Sequence, residues 1–140
     1  MPFFRSFEKE LKKNKAKTIL GIGSKASMRI PELQSERRRV DPNGIYKADT
    51  LLVPLEDGDR VEALVNMGKT VITIDLNPLS RTAKVAHITI VDNIIRAIPE
   101  MIVAAKQLKE KNASVMKKIV EEFDNKANLA KSLKNIRGDI

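Results

Sequence analysis

Residues 70–78 read Thr70-Val71-Ile72-Thr73-Ile74-Asp75-Leu76-Asn77-Pro78, and this stretch decides the fold that we expect. Its first five residues are all β-branched and show no polar alternation, which predicts a strand buried on both faces of a sheet. Strands of this kind are typical of parallel sheets in α/β proteins. The polar turn from Asp75 to Pro78 marks the point where the strand ends.

The same pattern, an apolar run closed by glycine or polar residues, occurs three more times. The runs are Lys17–Gly23, Thr50–Pro54 and His87–Val91. Helical or irregular segments separate them, so we predict an α/β fold with a mainly parallel sheet of about four strands and helices on both faces. In such sheets ligands bind outside the carboxyl ends of the strands, so candidate functional residues are expected at the strand exits.

Helices are predicted where apolar residues recur at intervals of three and four. The predicted helices cover residues 5–15, 60–67, 93–108, 114–123 and 127–137. Residues 24–47 follow no clear pattern and form a functional loop or contain a short helix near 31–39. We therefore expect a single α/β domain over residues 1–140, with a core at about 17–108 and a helical C-terminal extension at 113–140.

The composition excludes several classes of protein. The 140 residues are 42% hydrophobic and 31% charged, which is ordinary for a globular domain and too apolar for wholesale disorder. The chain has no cysteine and a single histidine, His87, so disulfides, thiolate zinc sites and multi-histidine metal sites are excluded. No apolar run reaches the roughly 20 residues of a membrane span, and the N-terminus lacks a signal-peptide core. We expect a cytoplasmic protein.

The net charge of +8 suggests nucleic acid as a partner. The basic side chains, however, concentrate in the two flanks, whereas residues 48–100 carry more acidic than basic residues. Solvated lysine-rich helix faces explain the flanks more simply, and few aromatic residues are present to stack on bases. Nucleic-acid binding through Arg37-Arg38-Arg39 and the lysine-rich ends is kept as an alternative.

Two strand exits are candidate anion or metal sites. Gly21-x-Gly23-Ser24 is either a phosphate-binding turn or a plain tight turn, and a third glycine or a Gly-Lys-Ser/Thr ending is absent. The carboxylates of Glu56, Asp57 and Asp59 suit Mg²⁺, a hard cation. Their simpler role is to cap a helix that begins at Arg60, with Asp59 as the N-cap.

The exit after Ile74 offers the richest chemistry. The side chains of Asp75 and Asn77 can accept from and donate to a ribose or a base edge. Arg81 supplies a planar donor fork suited to phosphate, and Thr82 a hydroxyl. An ordinary connection between a strand and a helix, punctuated by Pro78, explains the same residues equally well.

The last exit, Asp92-Asn93, opens the long predicted helix. Either residue can be its N-cap, and a helix N-terminus at the ligand edge of a sheet also favours an anion. His87 lies within an apolar run, so we interpret it as a structural histidine rather than a catalytic base.

Longer motifs carry a resemblance to a known family. In chain order they are Arg29-Ile30-Pro31, Asp41-x-Asn43-Gly44-Ile45-x-Lys47-Ala48-Asp49, Val53-Pro54-Leu55-Glu56-Asp57-Gly58-Asp59-Arg60, Asp75-Leu76-Asn77-Pro78-Leu79-Ser80-Arg81 and Ile88-Thr89-Ile90-Val91-Asp92-Asn93-Ile94. The chain resembles archaeal phosphopantothenate synthetase, also called 4-phosphopantoate–β-alanine ligase. The resemblance covers roughly residues 17–108 and weakens through the C-terminal helices.

The resemblance implies an enzyme of coenzyme A biosynthesis. It joins 4-phosphopantoate to β-alanine at the expense of ATP through an acyl-adenylate, releases AMP and pyrophosphate, and is expected to use Mg²⁺. The family is homodimeric with a Rossmann-like sheet. The ATP contacts implied for this chain are Asp75, Leu76, Asn77, Arg81, Thr82, Asn93 and Ile94. Arg81 is the best candidate for a catalytic residue, beside the phosphate charge that develops during adenylate formation.

Family members carry a further N-terminal stretch of comparable length, so this chain is expected to correspond to their C-terminal half. A natural short form, a split subunit and a truncated gene each fit that expectation. The alternative function is a non-catalytic nucleotide-binding or assembly domain without turnover of its own. The apolar residues Phe3, Phe4 and Phe7 predict self-association.

Overall fold

The computed structural model describes the backbone of residues 2–55 and 57–138, and the side chains from residue 6 onward within those ranges. The chain divides into two compact units, Met1–Asp49 and Thr50–Ile140. The expectation of a single domain over residues 1–140 stays a prediction.

The first unit contains a helix and a short antiparallel ladder. Helix α1 spans Pro2–Lys13, and strands β1 (Met28–Arg29) and β2 (Arg39–Val40) pair with each other. The buried carboxylate of Asp41 stabilises the surrounding loop, because it accepts hydrogen bonds from the backbone N–H groups of Gly21 (3.3 Å) and Asn43 (2.9 Å). A 3₁₀ turn, Glu36–Arg38, leads into β2.

The strand predicted at Lys17–Gly23 is wrong. Gly21 and Gly23 have φ angles of 78° and 63°, in the left-handed region that interrupts an extended backbone. The Gly21 N–H is directed to Asp41 instead of a neighbouring strand. The Gly21-x-Gly23-Ser24 motif therefore does not follow a strand of the parallel sheet, and residues 23–25 form a 3₁₀ turn.

The arginines of the basic run bond to loop carbonyl groups. Nη1 of Arg38 donates to the Leu33 carbonyl (3.4 Å), and Nε of Arg39 donates to the Ala26 carbonyl (3.3 Å). Two of the three cations proposed for the nucleic-acid alternative thus stabilise the fold of the first unit.

The second unit is an α/β structure built on a parallel sheet. Its strands are β3 (Thr50–Pro54), β4 (Thr70–Ile74) and β5 (Ile88–Ile90), in the spatial order β3-β4-β5. Helix α2 (Gly58–Asn66) connects β3 to β4, and helix α3 (Arg81–Val85) connects β4 to β5. The α/β class is confirmed, with three parallel strands in the described chain where about four were predicted.

The core of this unit lies between the sheet and its connecting helices. The fully buried side chains Val61 and Leu64 of α2 and Val71 of β4 fill it, and α2 packs against α3 and β4. Two buried threonine hydroxyls are satisfied by carbonyl groups, Thr73 by that of Val53 and Thr89 by that of Ala83, each at 2.8 Å.

His87 has the structural role that its apolar surroundings predict. The ring Nδ1 of His87 accepts the backbone N–H of Val71 at 3.2 Å, and the backbone N–H of His87 donates to the Val71 carbonyl at 3.0 Å. The imidazole of His87, the residue directly before β5, thus accepts a backbone N–H of β4.

Three helices complete the second unit: α4 (Ile94–Leu108), α5 (Ala113–Glu122) and α6 (Asn125–Arg137). The predicted C-terminal extension is helical, yet α6 packs on α3 and β5 and so forms part of the sheet domain. Within the described ranges, no helix is long and apolar enough to cross a membrane.

Two asparagines attach α6 to β5. The side chain of Asn125 accepts the N–H of Thr89 (2.9 Å) and donates to the carbonyl groups of Ala83 (3.0 Å) and Ala86 (2.9 Å). Nδ2 of Asn128 donates to the Thr89 carbonyl at 2.8 Å. These side chains bond to β5 as a neighbouring strand would.

We expect Asn125→Ala to lower the free energy of unfolding by about 2–3 kcal/mol, because it leaves three backbone groups without this partner. Chemical denaturation measures the change. The control is Asn135→Ala on the same helix, where the side chain is exposed and the expected change is below about 0.5 kcal/mol. Equal effects of the two substitutions would contradict the proposed attachment.

Candidate functional site

The carboxyl ends of the three parallel strands meet at one edge of the sheet. The N–H of Leu55, after β3, donates to the carbonyl of Ile74 (3.4 Å), and the N–H of Asp75, after β4, donates to the carbonyl of Ile90 (3.0 Å). The segments that follow these strands therefore emerge side by side. We call this edge, with the turn Asp75–Ser80 and the first residues of α2, α3 and α4, the strand-end crest.

The turn Asp75–Ser80 is folded by its own side chains. Asp75 accepts the N–H of Asn77 (2.9 Å) on one carboxylate oxygen and the hydroxyl of Ser80 on the other. Oδ1 of Asn77 accepts the N–H of Leu79 (3.0 Å), and Oγ of Ser80 accepts the N–H of Ala83 (2.9 Å) as the N-cap of α3. The amide Nδ2 of Asn77, the other polar atom of the same group, is a donor suited to a ligand.

Arg81 lies at the start of α3, beside α2. Its Nη1 donates to Asp59 and its Nη2 to Glu62, both on α2. The hydrogen bond and charge of Glu62, followed by the charge of Asp59, raise the pKa of Arg81 above its ordinary value. The side chain is still 58% exposed, so the guanidinium is held in place and open to solvent.

The neighbouring Thr82 differs from Arg81 in exposure. It is buried, at 5% relative exposure, within the core that α3 shares with the sheet. A contact between the Thr82 hydroxyl and a nucleotide stays a prediction.

The start of α4 forms a second polar group at the strand-end crest. Asn93 is the N-cap, because its Oδ1 accepts the N–H of Ile95 at 2.9 Å. Asp92 accepts the N–H of Asn93 (2.6 Å) and a charged hydrogen bond from Arg96. The Arg96 guanidinium lowers the pKa of Asp92, and the N–H of Asn93 contributes to that shift. Ile94, the first residue of α4, is half-buried.

The acidic residues before α2 act as caps and ion-pair partners. The expectation that Asp59 caps this helix is wrong: α2 begins at Gly58, and Asp57 is the N-cap, accepting the N–H of Asp59 at 3.1 Å. The cap lies earlier because Asp59 already has helical geometry and pairs with Arg81. Glu56 lies outside the described residues. Elsewhere along the described ranges, no group of three or more metal-binding side chains is present.

The structure brings the predicted contacts to the strand-end crest, with Thr82 alone among them buried: Asp75, Leu76, Asn77, Arg81, Thr82, Asn93 and Ile94. Their contact with ATP stays a prediction. The sequence analysis did not identify Glu62 of α2, which accepts a hydrogen bond from Arg81 of α3. The available signal was the i, i+3 spacing of Asp59 and Glu62, which aligns two carboxylates on one face of α2.

We expect Ser80→Ala to lower the free energy of unfolding by about 1–2 kcal/mol, since it removes the cap of α3 and a partner of Asp75. Thermal or chemical unfolding measures the loss. Ser114→Ala on α5 is the matched control, because that exposed hydroxyl donates only within its own turn, to Asn112 (2.7 Å). A Ser80→Ala protein as stable as the control would contradict this role.

Comparison with known proteins identifies relatives for most of the chain. A chain from Thermococcus kodakarensis named 4-phosphopantoate–beta-alanine ligase is 54% identical over 134 residues, 95% of this chain and 51% of that protein. Proteins of the same name from Thermococcus onnurineus and Methanosarcina mazei are 56% identical over 83% of this chain and 49% identical over 91%. The chain spans about half the length of the curated relatives it matches.

The sequence profile of the phosphopantothenate/pantothenate synthetase family matches residues 4–139. This match and the identities above extend over both compact units and include every residue of the strand-end crest. The chain therefore belongs to the phosphopantothenate/pantothenate synthetase family.

Proposed function

We propose that this chain supplies the ATP-binding part of an enzyme that ligates 4-phosphopantoate and β-alanine to 4-phosphopantothenate in coenzyme A biosynthesis. The name of its relatives supports the reaction. The observation that carries the ATP-binding role is the exposed guanidinium of Arg81, held beside the prefolded Asp75–Ser80 turn at the carboxyl ends of parallel strands.

The nucleoside is proposed to bind at the turn after β4, in a Rossmann-like manner. The amide of Asn77 and the remaining lone pairs of Asp75 offer hydrogen bonds to ribose or to a base edge. Three exposed leucines at the strand-end crest, Leu55 (72%), Leu76 (59%) and Leu79 (49%), offer apolar surface to the faces of a purine. This combination of apolar contacts with a few polar groups suits a nucleotide better than a fully charged ligand.

The phosphates are proposed to bind near Arg81. In the first step a carboxylate oxygen of 4-phosphopantoate attacks the α-phosphorus of ATP, and the bond to pyrophosphate breaks. In the second step the β-alanine amine attacks the acyl carbon, and AMP leaves. Arg81 would stabilise the charge that develops on the phosphate oxygens during the first step.

The start of α4 completes the proposed nucleotide contacts. Oδ1 of Asn93 caps the helix, which leaves its Nδ2 to donate to the ligand, and Ile94 follows it directly. Asp92 is paired with Arg96, so its negative charge is partly offset near the proposed phosphate site.

Mg²⁺ is proposed to enter with the nucleotide. Among the described carboxylates at the strand-end crest, Asp57 caps α2 and Asp59 is paired with Arg81, so they do not form a metal site of their own. Nucleotide phosphates commonly supply the Mg²⁺ ligands that a protein does not.

The alternative is a non-catalytic nucleotide-binding or assembly domain. The exposed guanidinium of Arg81 and the prefolded turn beside it, which suit a nucleotide, support this alternative as well. It shares the ATP site of the leading proposal and differs from it in turnover alone.

We expect the purified chain to bind ATP and Arg81→Ala to weaken that binding about 10- to 100-fold, as expected for loss of a charge-assisted hydrogen bond. Isothermal titration calorimetry measures the affinity. Arg137→Ala, an exposed arginine at the end of α6, controls for the loss of a positive charge.

An assay of AMP and pyrophosphate release from ATP, 4-phosphopantoate and β-alanine then separates the two proposals. β-Alanine-dependent turnover supports the ligase, whereas ATP binding without turnover supports the alternative. The absence of both binding and turnover would contradict both.

We also propose that the protein is cytoplasmic and that it associates with a second copy of itself. Helix α5 has no buried residue, although its apolar side chains recur on one face. These exposed residues are Val115, Met116, Ile119 and Val120 of α5 and Phe123, which directly follows the helix. Phe7 of α1 is 59% exposed, and the side chains of Phe3 and Phe4 lie outside the described part of the chain. We propose that the apolar face of α5 contributes to a homodimer.

Ile119→Lys is expected to shift the chain from dimer to monomer, because it places a charge within that apolar face. Sedimentation equilibrium over a range of concentrations measures the shift. Glu122→Gln, on the same helix, is the control, because it raises the net charge by the same one unit. A wild-type chain that stays monomeric at high concentration would argue against the dimer.

A further inference from the structure

The stem of Arg81 packs directly on the first residue of α2. A methyl group placed on Gly58 would lie 2.9 Å from Cβ of Arg81 and 3.0 Å from its Cγ and Cδ. Contacts this short require one of the groups to move. Glycine at position 58 therefore allows α3 to approach α2 closely enough for the arginine stem to lie against the backbone.

The far end of the same side chain is held by two carboxylates. Asp59 accepts a hydrogen bond from Nη1 of Arg81, and Glu62 accepts one from Nη2. All three side chains remain accessible to solvent: Asp59 is 64% exposed, Glu62 is 42% exposed and Arg81 is 58% exposed. A guanidinium has five N–H donors, so two bonds leave Nε–H and one N–H on each Nη available. The Arg81 side chain is thus restrained at both ends and still has N–H donors for a ligand.

We propose that Gly58, Asp59 and Glu62 are positioning residues that hold Arg81 in the conformation in which it receives a nucleotide phosphate. This inference rests on the proposed ATP site. Gly58 provides the space for the stem, and the two carboxylates fix the plane of the guanidinium.

The benefit of such positioning is entropic. Arginine has many rotamers, and binding an anion with a free arginine costs the freedom of that side chain. Because Arg81 is ordered before the nucleotide arrives, most of that cost is met on folding. The carboxylates also repel phosphate, however, so positioning and repulsion predict opposite effects when one of them is neutralised.

Glu62→Gln separates these effects, since it keeps the size of the side chain and removes its charge. If Glu62 positions Arg81, ATP affinity measured by calorimetry falls about three- to tenfold, the equivalent of one side chain that must be immobilised on binding. If repulsion dominates, ATP binds more tightly, and the proposal is overturned. Glu121→Gln on α5, an exposed carboxylate paired with Lys117, controls for the change in net charge.

A double-substitution cycle tests whether Glu62 acts through Arg81. In the Arg81→Ala background, Glu62→Gln is expected to cause no loss of ATP affinity and to leave it unchanged or raise it, because only the repulsion of phosphate by Glu62 remains there. The same loss in both backgrounds would show that Glu62 contributes independently of Arg81 and would contradict the proposal.

Nuclear magnetic resonance of the arginine side chains, recorded without nucleotide, tests the restraint itself. We expect slow rotation of the Arg81 guanidinium in the wild type and fast rotation in Glu62→Gln. Equal rotation in both proteins overturns the proposal. Because this measurement needs no ATP, a held guanidinium in a chain that fails to bind ATP would count against the proposed function alone.

Gly58→Ala tests the other end of the side chain. We expect loss of ATP affinity at least as large as that of Glu62→Gln, with altered Arg81 signals in the same spectra. Thermal unfolding identifies the fraction that is folded, so affinity is compared for folded protein. Unchanged affinity and unchanged Arg81 signals would exclude a positioning role for Gly58.

Discussion

The carboxylate of Asp75 accepts a hydrogen bond at each of its oxygens, and the arrangement of the strand-end crest depends on it. One oxygen fixes the turn through the N–H of Asn77, and the other holds the hydroxyl of Ser80, which in turn caps α3. The N–H of Asp75 itself bonds to the end of β5. This one residue therefore connects two strand ends to the helix that carries Arg81, and a change in its geometry would be transmitted to each of them.

Helix capping and ligand binding are compatible roles for the same side chains at this edge. Ser80 and Asn93 cap α3 and α4 through their side-chain oxygens, and Asp57 does the same for α2. An asparagine that caps through Oδ1 keeps its Nδ2 donors, so Asn93 can stabilise a helix and donate to a ligand at the same time. Of the alternatives that the sequence left open at Asp92-Asn93, the N-cap is Asn93, and anion binding at this helix start stays a prediction compatible with it.

The second unit was predictable where local pattern determines structure. Continuous runs of aliphatic and β-branched residues identified β3, β4 and β5, and the apolar stripe identified α4. The first unit was less predictable, because Lys17–Gly23 has the apolar composition of a strand while two glycines in the left-handed region end any extended run. Only the contact with Asp41, 20 residues from Gly21, explains that backbone. Glu62 and Gly58 escaped notice for the same reason, since their importance comes from a residue about 20 positions away.

The outer side of β5 illustrates a consequence of the two asparagines on α6. A sheet edge normally presents a row of free N–H and carbonyl groups that recruits strands from other molecules. Here the amides of Asn125 and Asn128 take the N–H and the carbonyl of Thr89, the middle residue of a three-residue strand. A short helix thereby closes the edge with side chains instead of backbone. At Thr89 the sheet therefore offers no unbonded backbone pair to a strand of another molecule, which protects this side from edge-to-edge aggregation.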